Sequence, residues 1–168
     1  MRIGITGHQR LQKPSDWDWT RTEILKVLKR LPQPLIGVSS LAVGADQLFA
    51  RIVLESSGEL EAVIPFESYE KTFADDVDKD SYRRLLKSSS RVEVLPKSDS
   101  DEEGYLRAGM RVVDLCDLLI AVWDGKPAAG LGGTGDIVNY AHESNRNLIH
   151  LNPTGRKIVE TVEPHDRL

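Results

Sequence analysis

The chain has 168 residues, of which 40% are hydrophobic and 29% charged, and this length and composition predict one globular domain rather than a disordered chain. Its 26 acidic and 22 basic residues give a net charge of −4, which predicts no nucleic-acid partner, because phosphate contacts need clustered Lys and Arg. A single cysteine excludes a disulfide framework and favours the cytoplasm, and we find neither a signal peptide nor an apolar run near the roughly 20 residues that span a bilayer.

Short β-branched apolar runs alternate with longer amphipathic runs in the first half of the chain, which is typical of an α/β protein with a mostly parallel sheet. Ser15 and Asp18 resemble a capping box at the start of the first helix. In chain order we predict a strand at 2–6, a helix at 15–31, a strand at 35–39, a helix at 47–54, a strand at 62–64, a helix at 78–88 and a strand at 92–95.

The second half continues this alternation. Its strand at 118–123 is a near-continuous apolar run, as expected for a strand that is covered on both faces. The other predicted elements are a helix at 102–116, a helix from Thr134 or Gly135 to 144 and a strand at 147–151. We therefore expect one domain over residues 1–151, followed by a polar tail over 152–168 with one short helix.

The residues that are unusual for a structural role follow the predicted strands rather than precede them. In open parallel α/β sheets, ligands bind in a crevice at the carboxyl ends of the strands. After the first three strands the candidate ligand-binding residues are Gly7, His8, Arg10, Ser40, Gly44, Ala45, Asp46, Pro65 and Phe66. After the strand at 118–123 they are Asp124, Gly125, Gly132, Gly133, Thr134, Gly135 and Asp136.

The glycine loop that ends at Gly135 leads into a helix, so free backbone N–H groups at the helix start could hold a phosphate. The loop lacks the Lys of a Walker A motif, and its G-x-G-x-x-G pattern lies too far from the preceding strand for a dinucleotide fingerprint. The structural alternative is a flexible loop in which Thr134 caps the helix. Asp136 suits a sugar hydroxyl better than a phosphate, which its charge would repel.

Four other candidates each have a structural alternative. Asp46 would accept hydrogen bonds from sugar hydroxyls or would stabilise a helix N-terminus. Arg10 would bind a phosphate or lie in solvent, and Phe66 would stack on a base or pack in the core. Asp124, at the end of a buried strand, is the carboxylate that a structural role explains least. The four histidines show no metal-ligand spacing, so we predict neither a metal site nor a cofactor.

Four parts of the sequence, in this order, resemble motifs of the SLOG superfamily. They are Gly4–Arg10, Ser40–Asp46, Val63–Phe66, and Asp114–Gly125 followed by Gly132–Asp136. This group includes the DprA DNA-processing proteins, the LOG phosphoribohydrolases and single-domain nucleotide sensors of the YpsA-like type, to which the likeness is greatest. The resemblance covers roughly residues 1–151. It implies a Rossmann-like, doubly wound, mostly parallel sheet of about six or seven strands with helices on both faces, a nucleotide-derived ligand and a homo-oligomer.

The resemblance to LOG enzymes stops at the catalytic residue. LOG enzymes carry a P-G-G-x-G-T-x-x-E motif, whose glycines hold the phosphate and whose Glu assists cleavage of the N-glycosidic bond. Residues 132–135 match the glycine part, but Leu131 replaces the Pro and Asp136 replaces the Thr. Val138 and Asn139 stand where the acidic residue belongs. The phosphate-binding backbone is therefore retained, while the catalytic Glu is absent.

Three hypotheses of function follow. The favoured one is a domain that binds or senses a small nucleotide-derived ligand and signals to an effector protein encoded nearby. The second is an N-glycosidase acting on nucleoside monophosphates, with Asp124 or Asp136 in place of the missing Glu. The third is a nucleoside deoxyribosyltransferase, which would need Glu67 or Glu70 as its nucleophile.

Overall fold

The computed structural model of the protein describes residues 1–127 and 130–161, which form seven strands in one sheet with helices on both faces. The strands are β1 (Arg2–Gly7), β2 (Ile36–Ser39), β3 (Glu59–Ile64), β4 (Arg91–Val94), β5 (Leu118–Val122), β6 (Asn147–Asn152) and β7 (Lys157–Thr161). The helices are α1 (Pro14–Arg30), α2 (Ala45–Glu55), α3 (Asp76–Ser88), α4 (Asp101–Leu115) and α5 (Thr134–Glu143), with a 3₁₀ turn at Tyr69–Thr72.

The strand order creates a topological switch point beside β1. The order across the sheet is β4-β3-β2-β1-β5-β6-β7, and all neighbouring strands are parallel except β6 and β7. After β1 the chain proceeds outward to β4, and it then returns through α4 to place β5 on the other side of β1. Because the connections leaving β1 and β5 diverge to opposite faces, a crevice opens at the carboxyl ends of these two strands.

Alternating side chains of the central strands pack against different helices. Ile3 and Ile5 of β1 are fully or almost fully buried against α1 and α2. Gly4, between them, faces α4, and a Cβ atom there would lie 2.9 Å from both Cys116 Sγ and Val112 Cγ1. The glycine thus lets α4 approach the sheet closely, which fixes the position of the helix that borders the crevice.

The predicted α/β class, with a mostly parallel sheet and helices on both faces, is confirmed. The predicted capping box is wrong, because α1 begins at Pro14, one residue earlier, with Lys13 as its N-cap and no side-chain cap. Proline is favoured in the first turn of a helix, since its missing N–H would have no partner there. Asp16, in that turn, instead accepts a hydrogen bond of 2.9 Å from Arg156.

The sheet continues beyond residue 151, where a polar tail was predicted. Asn152 Oδ1 accepts a hydrogen bond of 2.8 Å from the N–H of Gly155, and this turn brings β7 back antiparallel to β6. The chain at 157–161 is thus a strand, and the predicted short helix can lie only in residues 162–168, outside those described. Within residues 1–127 and 130–161, no helix combines the length and apolar character that a bilayer crossing requires.

Candidate functional site

A crevice of about 540 Å³ lies at the carboxyl ends of β1 and β5, where the strand order predicts a ligand site. Most of the residues that the sequence singles out line it. These are Gly7, His8, Ser40, Asp46, Pro65, Asp124, Gly132, Gly133, Thr134 and Gly135. The structure therefore brings together residues from four separate connections, although whether they bind a ligand stays a prediction.

Two glycines let the loop after β1 and the start of α2 interlock at the bottom of the crevice. A Cβ atom on Gly7 would lie 2.6 Å from the Cβ of Ala45. Gly44 has a φ of +89°, and a Cβ atom there would lie 2.5 Å from the carbonyl oxygens of His8 and Gln9. The Ala45 N–H donates to the His8 carbonyl at 3.1 Å, so both glycines serve the close approach of these two segments.

His8 and Asp124 connect the two strands that border the crevice. The Nε2 atom of His8 lies 3.2 Å from both the backbone N and the Oδ1 atom of Asp124. A neutral ring with a free Nε2 accepts the N–H, whereas a protonated ring donates to the carboxylate. Lys126 also contacts this carboxylate, with its backbone N–H at 3.1 Å from Oδ1 and its ammonium group at 3.4 Å from Oδ2.

These contacts keep Asp124 ionised. Partial burial acts to raise the pKa of Asp124, but the Lys126 N–H and the charge of His8 outweigh it and hold the pKa below its ordinary value. The side chain is 22% exposed and lies at the crevice surface. The arrangement thus provides a fixed negative charge that can accept hydrogen bonds from hydroxyl groups.

Asp46, at the start of α2, is buried where it borders the crevice. Its Oδ2 atom accepts hydrogen bonds from the Ser39 hydroxyl at 2.9 Å and from the Ser40 N–H at 3.0 Å. Burial raises the pKa of Asp46 to about 7, even though these hydrogen bonds favour the ionised form. The side chain does not cap α2, whose N-cap is Gly44. Asp46 instead holds the turn after β2 in place.

The start of α5 forms the wall that carries unpaired donors. Its N-cap is Gly133, without a side-chain cap. Among the described residues, the backbone N–H groups of Thr134 and Gly135 have no acceptor, and both residues line the crevice. Free N–H groups in the first turn of a helix, together with the helix dipole, favour an anion.

Asp136 folds back onto the glycine loop rather than facing the crevice. Its Oδ2 atom accepts a hydrogen bond of 2.9 Å from the Gly132 N–H. Gly132 has a φ of +81°, and a Cβ atom there would lie 2.7 Å from the backbone N of Leu106 on α4. The Asp136 carboxylate therefore stabilises the loop and occupies one of the N–H groups that the sequence offered to a phosphate.

Five other predicted residues do not line this crevice either. Arg10 and Gly44 border a second crevice of about 570 Å³, and Arg10 contacts Asp75 and Asp78 instead of the first crevice. Ala45 is fully buried, and no atom of the described residues lies within 4 Å of a Cβ atom built on Gly125. Phe66 is 5% exposed and packs edge-on against Tyr69, as its structural alternative requires.

Sequence reasoning missed the crevice residues that α4 contributes. Tyr105, Ala108 and Gly109, from the N-terminal and middle turns of that helix, line the crevice together with Tyr69. In a right-handed crossover, the helix that follows a strand starts at the carboxyl edge of the sheet. Residues near the start of α4 could therefore have been predicted to border the crevice. Burial raises the pKa of both phenols, which keeps both hydroxyls protonated at neutral pH.

The described residues offer no obvious place for a metal ion. Within residues 1–127 and 130–161, no three His, Cys, Asp or Glu side chains cluster closely enough to hold one. Cys116 is buried, and burial raises the pKa of its thiol to about 11, so that it stays protonated.

Comparison with solved structures shows the same fold in three proteins. DprA from Streptococcus pneumoniae matches 90% of this chain and 50% of its own length, with a TM-score of 0.64 and 16% identity. DprA from Helicobacter pylori matches 90% of this chain and 65% of its own length, with a TM-score of 0.64 and 17% identity. The structural-genomics target TM1055 matches 88% of this chain and 71% of its own length, with a TM-score of 0.52 and 12% identity.

These likenesses confirm the DprA-like fold that the sequence resemblance implied. No protein-family model and no curated protein matches the chain by sequence. The chain spans only 50% and 65% of the two DprA chains, and identities of 12–17% establish the fold alone.

The net charge led us to predict that the protein has no nucleic-acid partner, and this prediction is wrong. The structure of Helicobacter pylori DprA, which shares this fold, was described for its mode of binding single-stranded DNA. Net charge is a sum over the whole surface, whereas phosphates are also bound by backbone N–H groups and by single cations. A total of −4 therefore does not exclude this class of partner.

Proposed function

We propose that the crevice beside β1 and β5 binds a small nucleotide or nucleotide-derived ligand through its phosphate. The observation that carries this proposal is the pair of N–H groups of Thr134 and Gly135, two residues that line the crevice, for which the described part of the chain supplies no acceptor. A phosphate oxygen supplies that acceptor and is stabilised by the α5 dipole. Lys126, whose side chain is 81% exposed, adds a cation at the same opening.

The remaining walls suit the other parts of a nucleotide. The ionised Asp124 carboxylate accepts hydrogen bonds from ribose hydroxyls. The rings of Tyr105 and Pro65 supply apolar surface against which a base packs. The volume of about 540 Å³ lies within the range of small-molecule sites.

Isothermal titration against a panel of ligands tests this proposal. The panel contains nucleoside monophosphates, ADP-ribose, cyclic nucleotides and a single-stranded DNA oligonucleotide, with the matching nucleosides and inorganic phosphate as controls. We expect at least one phosphorylated member to bind, and its nucleoside to bind about 10- to 100-fold more weakly, because it lacks the charged acceptor. Absence of binding by every member at about 1 mM would contradict the proposal.

A second candidate is cleavage of the N-glycosidic bond of a nucleoside monophosphate. It is favoured by one observation, the ionised Asp124 carboxylate at the crevice surface, which can stabilise positive charge that develops on the ribose. Asp136 is the weaker catalytic candidate, because its carboxylate is engaged by Gly132. This function predicts release of free base from AMP or a related monophosphate, measured by chromatography, and loss of release in Asp124→Asn. If the monophosphate stays intact after prolonged incubation, the protein does not have this activity.

A further inference from the structure

A buried phenol lies at the end of the crevice that follows β3. Tyr69, in the 3₁₀ turn, is only 4% exposed and lines the crevice. Its hydroxyl group makes no hydrogen bond with any described residue, yet the oxygen is not sealed from solvent, so it opens into the crevice. A buried donor of this kind gains a hydrogen bond when a ligand supplies an acceptor.

The ring of Tyr69 is held in place by its aromatic neighbours. It packs edge-on, with ring centroids 5.8, 4.9 and 5.8 Å away, against Phe66, Phe73 and Tyr82. The backbone is held as well, because the Tyr69 N–H donates to the Phe66 carbonyl at 3.1 Å and the Thr72 hydroxyl donates to the Tyr69 carbonyl at 2.8 Å. The hydroxyl group therefore has a defined position before a ligand arrives, which lowers the entropic cost of binding.

The charges around this hydroxyl favour a neutral acceptor over a second phosphate. Lys126, after β5, is the only Lys or Arg among the described residues that line the crevice. Burial, and after it the charge of the Asp46 carboxylate, raises the pKa of Tyr69, so this carboxylate lies near the phenol. An anion here would meet repulsion and no described cation. A carbonyl oxygen or a ring nitrogen is the acceptor that suits this end.

The phenol and the unpaired amides of α5 belong to different parts of the crevice. Tyr69 follows β3, whereas α5 follows β5, and β2 and β1 lie between these two strands. With neighbouring strands about 4.8 Å apart, the two connections leave the sheet about 14 Å from each other. A ligand that contacts both therefore spans several strands, which a nucleotide does and a phosphate ion does not.

We propose that Tyr69 recognises the base of a nucleotide ligand by donating its hydroxyl hydrogen to a carbonyl oxygen or ring nitrogen of that base. This inference rests on the proposed function, because it takes the phosphate as bound at the start of α5. Tyr105 and Pro65, which line the same crevice, supply the apolar surface against which the base packs. The crevice then distinguishes a nucleotide from a sugar phosphate, which has no group at this end.

Tyr82 offers a matched control for the loss of a buried phenol hydroxyl. It is also 4% exposed, and its ring lies 5.8 Å from that of Tyr69 in the same aromatic cluster. It lines neither of the two crevices described above. Tyr69→Phe and Tyr82→Phe therefore change the cluster in a similar way, but only the first removes a donor from the crevice. Thermal unfolding verifies that both variants keep the fold.

Isothermal titration with AMP, GMP, CMP, UMP, their cyclic forms, ADP-ribose and ribose 5-phosphate tests the assignment. The nucleotide that binds the unmodified chain most tightly is expected to bind Tyr69→Phe about 3- to 10-fold more weakly, because a neutral hydrogen bond is lost. Ribose 5-phosphate should bind the unmodified chain and both variants with the same affinity, within about twofold. Tyr82→Phe should match the unmodified chain with every probe.

The titration separates a failure of this inference from a failure of the proposed function. If the unmodified chain binds none of these nucleotides at about 1 mM, the proposed function fails and this inference fails with it. If a nucleotide binds and Tyr69→Phe holds it as tightly as Tyr82→Phe does, only the assignment of Tyr69 is overturned. An equal loss of affinity for ribose 5-phosphate would also overturn it, because the hydroxyl would then contact the sugar or the phosphate.

A ligand without base acceptors tests the hydrogen bond itself. In the 5-phosphate of 1-phenylribose a benzene ring replaces the base, so that packing is retained while every acceptor of the base is lost. Tyr69→Phe is expected to leave the affinity for this compound unchanged, within about twofold. A loss as large as the loss measured with the nucleotide would overturn the hydrogen bond, since the hydroxyl would then act through packing alone.

Discussion

The two walls of the crevice differ in how far their polar groups are already satisfied. On the wall built by β1, β2 and β5, Asp46 is bound by Ser39 and Ser40, and Asp124 by His8 and Lys126. At the start of α5, the N–H groups of two residues have no acceptor in the described chain. The carboxylates of the first wall therefore have hydrogen-bond partners without a ligand, while two N–H groups of the second wall have none among the described residues.

This difference separates residues that shape the crevice from groups that a ligand would complete. A carboxylate with several internal donors gains little from a new partner, whereas an unsatisfied donor regains a hydrogen bond when an anion arrives. The sequence suggested both Asp46 and the glycine loop as candidates, each with a structural alternative. The contacts assign Asp46 to the architecture of the wall and leave the α5 amides as the recognition element that we propose.

The largest expected effect concerns the completed wall. Gly44→Ala places a Cβ atom 2.5 Å from two carbonyl oxygens at a φ of +89°, so we expect it to lower the free energy of unfolding by about 3–5 kcal/mol. Gly125→Ala is the matched control, because its φ is +85° but a Cβ atom there has no neighbour within 4 Å among residues 1–127 and 130–161. It should cost about 1 kcal/mol.

Urea denaturation of both variants checks this pair. Equal losses of stability would show that only the backbone conformation matters at Gly44. The close approach between the loop after β1 and the start of α2 would then not hold the wall together.

The second prediction concerns the pH dependence that Asp46 gives to the same wall. Its pKa of about 7 in the folded protein lies above its ordinary value of 3.8, so folding favours the protonated form. The stability from this group is fully present below about pH 4 and is lost as pH rises through about 7. Asp46→Asn keeps an acceptor for Ser39 and Ser40 but cannot titrate.

Urea denaturation at pH 4 and pH 8 measures this difference. The decrease in unfolding free energy between the two pH values should be smaller in Asp46→Asn than in the unmodified chain, by at most about 4 kcal/mol. Other ionisable groups contribute equally to both proteins. The same pH dependence in both would mean that Asp46 is ionised throughout and that its burial is tolerated.

The sequence was sufficient to predict which residues gather around the crevice, because their positions follow from local patterns. β-Branched runs mark the strands, and the residues that follow them must gather at one edge of a parallel sheet. Gly7, His8, Asp124 and the glycine loop therefore meet as expected.

Side-chain direction and the last strand could not be predicted in the same way. Phe66 packs inward because Tyr69 of the following 3₁₀ turn and Tyr105 of α4, far along the chain, complete an aromatic cluster around it. Asp136 bends back because the loop places Gly132 within reach of its carboxylate. β7 carries the β-branched Ile158, Val159 and Thr161, which favour a strand, but it is short and its antiparallel pairing with β6 is not a local feature of the sequence.

The account rests on the α5 amides, and a proline at the first helical position removes one of them. Thr134→Pro deletes the N–H but suits the helix start, because Gly133 has a φ of −70° and a ψ of 168°, which a following proline accepts. Thr134→Val is the matched control, since it also lacks the hydroxyl but keeps the N–H. Thermal unfolding of both variants verifies that the fold is retained.

The decisive measurement is isothermal titration of both variants with the phosphorylated ligand that binds the unmodified chain most tightly. A hydrogen bond to a charged acceptor contributes about 1.5–3 kcal/mol, so Thr134→Pro should bind about 10- to 100-fold more weakly than Thr134→Val. Equal affinity of the two variants would contradict the account, because the phosphate would then be bound elsewhere than at the start of α5.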